Sequence, residues 1–125
     1  MKIEILYEDK DILIVDKPSG IAVHGDGRSE EETISDWFVK KYPKSKNVGE
    51  SLTFGDKEIK KPGIVHRLDK ETSGVLLLVK NKKAYEYFKD LFKNRKIKKT
   101  YTALVEGVIK KDIEIIDKPI GRSPS

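Results

Sequence analysis

Cysteine and glutamine are absent from this chain of 125 residues, and methionine and tryptophan each occur once. Without cysteine no disulfide forms, so folding is independent of redox compartment. No apolar run approaches the roughly 18 residues that would suggest a membrane span, and Met1-Lys2-Ile3-Glu4 lacks the pattern of a secretory leader. A soluble cytoplasmic protein with no membrane contact is therefore expected. A glycine-rich phosphate loop and a His-Glu-x-x-His metal spacing are also missing. Hydrophobic residues make up only 37% of the chain, against 38% charged. A domain of this size buries about two-thirds of its unfolded surface. The balance fits one small, heavily solvated domain, or a domain lacking part of its core.

Net charge is +5, and its distribution is uneven. Between Lys80 and Lys99 there are nine basic residues and two acidic ones, Glu86 and Asp90, so the rest of the chain is slightly acidic. A concentrated basic stripe is the electrostatic footprint of a nucleic-acid binder, and also the pattern of a solvated lysine-rich helix face.

Short apolar runs at Ile3–Glu8 and Ile12–Asp16, separated by Asp9-Lys10-Asp11, predict an antiparallel strand pair. Lys17-Pro18-Ser19-Gly20 ends the second strand, Ile21-Ala22-Val23 suggests a short third, and His24-Gly25-Asp26-Gly27-Arg28 reads as a plain glycine-flanked turn. Ser29 or Thr33 would cap a helix running to Tyr42, with Ile34, Trp37, Phe38 and Lys41 on one face. Residues 43–62 show no periodicity and read as a long loop that Leu52-Thr53-Phe54 packs down locally. Asn81 caps a second helix to about Asn94, whose apolar face is Ala84, Phe88, Leu91 and Phe92. Tyr101, Ala103 and Val105 alternate as in a strand ending at Gly107, and Ile113–Ile116 predicts another. The order of elements predicts an α+β domain with two helices on a mixed, mainly antiparallel sheet.

The chemistry concentrates in Pro62-Gly63-Ile64-Val65-His66-Arg67-Leu68-Asp69-Lys70-Glu71-Thr72-Ser73-Gly74, followed by the apolar run Val75–Val79, which is long enough for a strand buried on both faces. Burying an unpartnered aspartate is costly, so such a turn is either solvated or built for chemistry. On the residues alone, a solvated turn before a core strand is the plainer reading.

His66-Arg67-Leu68-Asp69-x-x-Thr72-Ser73-Gly74 resembles the signature of the RluA-type RNA pseudouridine synthases. Ile5 to Gly20 resembles the opening of the same catalytic domain. Lys99-Thr100-Tyr101-Thr102-Ala103-Leu104-Val105-Glu106-Gly107 is similar to the segment carrying that family's active-site tyrosine. The resemblance implies isomerisation of uridine in large-subunit ribosomal or transfer RNA, with no cofactor and no metal. It implies Asp69 as the catalytic carboxylate, Arg67 filling the space the uridine leaves, Tyr101 stacking on the extruded base, and His66 at the substrate site. Lys93, Lys96 and Lys98 would meet the RNA backbone. The family's later Gly-Arg-Thr-His-Gln-Ile-Arg-like segment, whose basic residue pairs with the aspartate, has no counterpart here. Residues 1–125 are thus expected to be the N-terminal portion of a catalytic domain, inactive alone and prone to self-association through an open sheet edge.

Three rival readings stand beside this one. His24, Asp26, His66 and Asp69 supply ligand types for a hydrolytic metal site, without close metal spacing. Asp69 with Glu71 as a glycosidase pair is weakened by their adjacency in one turn. A non-catalytic RNA-binding module is the alternative to an enzyme.

Overall fold

The computed structural model describes residues 1–124. Strands β1 (Glu4–Glu8), β2 (Ile12–Lys17) and β5 (Gly74–Val79) form one antiparallel sheet in the order β1-β2-β5. Strands β3 (Ser51–Phe54) and β4 (Lys57–Lys60) form a separate hairpin. Helix α1 spans Ile34–Lys41 and α2 spans Lys82–Lys93, with a single 3-10 turn at Pro43–Ser45. The α+β architecture with two helices and antiparallel pairing is as the sequence predicts.

The β1–β2 turn closes on Asp9, whose Oδ1 accepts from the amides of Asp11 and Ile12 at 2.8 Å each. These bonds hold the Asp9 carboxyl below its ordinary pKa. On β2, Leu13 and Val15 face inward and pair with Leu78 and Leu76 of β5. Ile34 and Phe38 of α1 cover that face, and Ile3, Val23, Ile64 and Leu68 complete the core. Thr33 caps α1 through a reciprocal capping box with Asp36. Phe38 is fully buried and Trp37 packs half-buried beside it, whereas Lys41 is exposed with its ammonium 5.9 Å from the ring centre of Tyr42, the C-cap. Asn81 caps α2, accepting from the Ala84 amide at 2.9 Å, and its side-chain amide donates to Asp11 at 2.8 Å. Tyr42 donates to Glu8 at 2.5 Å, and Lys80 reaches the same carboxylate at 2.7 Å while lying 4.4 Å from the Tyr42 ring centre. Burial, then the Glu8 carboxylate, pushes the Tyr42 hydroxyl up to about 12.

Several local expectations change. Ile21–Val23 is not a strand: the carbonyls of Ala22 and Val23 accept from Ile34 and Ser35, the otherwise unpaired first amides of α1. Residues 43–62 hold the β3–β4 hairpin around Gly55-Asp56, an exposed ribbon with only Ile59 half-buried. The Val75–Val79 run is not buried on both faces along its length, since Val75 is exposed and Leu77 half-buried. The strands expected at 101–107 and 113–116 do not form. A strand needs a neighbour for its backbone groups, and within the described residues these segments have none. Their alternating side chains stand in solvent, Leu104 and Ile115 among them.

Candidate active site

The segment leading into β5 is built by alternation. Pro62, Gly63 and Ile64 are buried, and Ile64 bridges to Leu78. Gly63 is required there: its φ is +73°, and an added Cβ would lie 2.4 Å from Phe38 Cε1. His66 is then half-buried and Leu68 buried, whereas Arg67 and Asp69 are exposed. The amide of Thr72 donates to the Asp69 carbonyl at 3.0 Å and closes the turn.

That turn is gripped from the end of β2. Lys17 continues the buried face of Leu13 and Val15 and is itself fully buried. Its ammonium donates to the carbonyls of Pro18 at 2.9 Å, Ile21 at 2.7 Å and Lys70 at 3.0 Å. The Gly20 amide donates to the same Lys70 carbonyl at 2.8 Å, and Ser19 Oγ to the Glu71 carbonyl at 2.6 Å. Burial lowers the Lys17 pKa, and the Glu71 and Asp69 carboxylates oppose the shift. The backbone just after Asp69, at the Lys70 and Glu71 carbonyls, is thereby fixed, while the Asp69 side chain stays exposed. In the sequence Lys17 reads only as a strand end. The signal that identifies it is its place on the inward phase of β2.

Two grooves flank the turn. One, of about 740 Å³, lies between the outer face of the sheet, at Ile14 and Leu77, and the segment 97–102 that follows α2. Glu71–Gly74, Tyr101 and Lys98 line it, so Tyr101 shares a wall with the residues after Asp69. The other, of about 330 Å³, is lined by Arg67, Leu68 and Lys70 on one side and by Ala22–Asp26 on the other. Leu68 borders both, and the exposed Asp69 next to it in the chain lines neither. His66 is committed to structure: its Nε2 accepts from the Leu77 amide at 2.9 Å, and its ring stacks on Phe92 at 4.4 Å. Burial, then the Lys99 charge, pushes the imidazole down to about 4, so it is neutral at physiological pH. Only its remaining edge faces the larger groove. The pairing with Leu77, 11 positions on, forms where the segment folds back along β5, and no residue pattern signals it.

Lys93 ends α2, and Lys93, Lys96 and Lys98 are exposed. Among the described residues, these three enter no ion pair, whereas Lys80, Lys82 and Lys89 of the same stripe pair with Glu8, Glu86 and Glu50. The chain reverses after α2 at Arg95, whose φ is +54°. Among the described residues no three His, Cys, Asp or Glu side chains come together as metal ligands, so His24, Asp26, His66 and Asp69 do not form a metal cluster. No helix of the described residues is long and apolar enough to cross a membrane.

Comparison with known proteins gives a consistent result. The chain is 39% identical over 122 residues to an uncharacterised RNA pseudouridine synthase of Aquifex aeolicus (strain VF5), covering 98% of this chain and 36% of that protein. It is 38% identical over 116 residues to the ribosomal large subunit pseudouridine synthase C of Buchnera aphidicola subsp. Acyrthosiphon pisum, covering 93% and 32%. The solved structure of human RNA pseudouridylate synthase domain containing 4 matches with a TM-score of 0.50 at 28% identity, over 74% of this chain and 30% of that one. The chain thus spans about a third of the length of the relatives it matches. The family model described as RNA pseudouridylate synthase matches residues 11–124, and the chain belongs to that family.

Proposed function

We propose that this chain carries the reacting turn of an RNA uridine isomerase, with Asp69 as the catalytic carboxylate. In that reaction the bond from C1′ to N1 of uracil breaks, the base turns, and C5 bonds to C1′. The C5 hydrogen leaves to water and N1 ends protonated, so no redox partner is required. Asp69 acts either as nucleophile at the sugar or as base toward a ribose proton. The observation that carries the reading is the exposed pair Arg67 and Asp69 on a backbone clamped by Lys17, Ser19 and Gly20. Arg67 fills the space the uridine leaves, and Tyr101 stacks on the extruded base. His66 supports the substrate groove from within, and Lys93, Lys96 and Lys98 contact the RNA backbone.

Large-subunit ribosomal RNA is the proposed substrate, by analogy with the name of the Buchnera relative, with transfer RNA as the alternative. We place the protein in the cytoplasm with its RNA. Residues 1–125 are proposed to be the N-terminal portion of a catalytic domain, inactive alone and able to self-associate through the exposed β1 edge, which sedimentation against concentration would test. The test of function uses RNA tritiated at uridine C5, because isomerisation releases that atom to water. Asp69→Asn in the longest natural form of the protein should abolish release. Undiminished release removes Asp69 from catalysis. RNA binding without release by any form supports the non-catalytic reading.

A further inference from the structure

We propose that the groove between the Ala22–Asp26 segment and the Arg67–Lys70 turn is a subsite for the nucleotide beside the target uridine, in which His24 Nε2 accepts a hydrogen bond from that nucleotide. This rests on the RNA isomerase reading above. The groove measures about 330 Å³ and shares Leu68 with the larger groove that Tyr101 lines. A uridine placed at Asp69 therefore has its neighbour over Arg67 and this groove. Ala22, Val23 and Leu68 give it an apolar wall suited to a base or ribose face. Its lining holds the carboxylates of Asp26, Glu31 and Glu32 against the cations of Arg67 and Lys70, with Glu31 paired to Lys70 and Glu32 to Lys40, so it offers no surplus of positive charge for a phosphate.

His24 supplies the polar contact. Its Nδ1 lies 2.8 Å from the Gly25 carbonyl, which only accepts, so Nδ1 carries the proton and Nε2 offers a lone pair. No buried side-chain nitrogen or oxygen among the described residues lacks a partner. Among the described residues Nε2 has no protein donor, so it is open to solvent. Burial lowers the His24 pKa, the Gly25 bond opposes this, and the Lys61 and Arg67 charges add to the lowering. The ring at neutral pH is an acceptor. The matching chemistry on RNA is an N–H or O–H donor, which is either an exocyclic amino group of the neighbouring base or its ribose 2′-hydroxyl.

The experiment measures binding by fluorescence anisotropy with short single-stranded RNA containing one central uridine. Each base is placed in turn on either side, and each flanking ribose is separately replaced by its 2′-deoxy form. Removing the correct donor should weaken binding to the unsubstituted protein by about 3- to 10-fold, the size of one hydrogen bond. A loss on changing the base identifies the amino group, and a loss on 2′-deoxy substitution identifies the ribose. His24→Ala should erase the discrimination. His24→Asn keeps a donor for the Gly25 carbonyl but does not reach the Nε2 position, so it should erase discrimination without opening a hole. His24→Gln, which can place an acceptor there, should keep it. Equal affinity for every RNA overturns the subsite and leaves the isomerase reading standing. Discrimination that survives in both His24→Ala and His24→Asn also overturns it. Absence of RNA binding at low salt overturns both readings.

Discussion

Lys17 and Lys70, 53 positions apart, are joined by a hydrogen bond of 3.0 Å from the buried ammonium of the first to the backbone carbonyl of the second. Among the described residues no carboxylate forms an ion pair with this charge. It is instead solvated by three carbonyls, one of which belongs to the residue after Asp69. Lys17→Met keeps the unbranched apolar stem and removes the ammonium donors, leaving the carbonyls of Pro18 and Ile21 short of a partner. A loss of about 1–3 kcal/mol is expected, read as a lower urea midpoint. An unchanged midpoint means that water replaces the ammonium without cost.

The His66 imidazole makes stability depend on pH in a defined direction. Its pKa falls from an ordinary 6.5 to about 4 on folding, so between these values the unfolded chain binds more protons than the native one. The stabilisation it contributes is whole above 6.5 and is lost as pH falls toward 4, up to about 3 kcal/mol in total. Protonation also abolishes the acceptor that holds the Leu77 amide. NMR titration of the ring should give a midpoint near 4, and a midpoint near 6.5 would remove the Leu77 bond from the account.

Gly63→Ala should be among the most damaging single substitutions. It combines a left-handed backbone with overlap on Phe38 and on the Val79 carbonyl, which an added Cβ would approach to 2.9 Å. Strain and overpacking together predict a loss of about 2–4 kcal/mol in thermal or urea melts. Gly20→Ala, where an added Cβ meets nothing within 4 Å, bears only the backbone strain at φ +91° and should cost less.

RNA affinity is expected to fall steeply with salt through Lys93, Lys96 and Lys98. Removing any one lysine that meets a phosphate should flatten the slope of log affinity against log salt by about 0.7–0.9. Reversing all three charges should weaken binding about equally for every RNA sequence. Unaltered affinity and slope would place the RNA on another face.

Sequence pattern sufficed where local signals agree with the fold. Both helices are legible from Thr33 and Asn81 as caps and from their apolar spacing, and the first strand pair from the Asp9 turn. The β3–β4 hairpin is carried by Gly55-Asp56 between short runs, but its nearly all-exposed strands give no apolar alternation to read. The segments 101–107 and 113–116 do alternate, yet alternation only states which face would be buried if a partner existed. At the candidate site, Arg67, Asp69 and Tyr101 are legible through family resemblance. His66 sits where the motif puts it, but its bond to Leu77 joins residues from different elements and leaves no local trace. Lys17 escapes for a similar reason, because its three acceptors are main-chain atoms, which every sequence has.

The grip on the Lys70–Glu71 backbone by Lys17, Ser19 and Gly20 has a consequence for the order of events during synthesis. All of its contacts lie within the first 71 positions. β2 needs only β5, which ends at Val79, to close the sheet beside them. A chain emerging from the ribosome at about 5–20 residues per second therefore has the turn around Asp69 shaped before α2 and the Tyr101 segment have left the exit tunnel. The remainder of the protein then folds onto a turn already fixed in position.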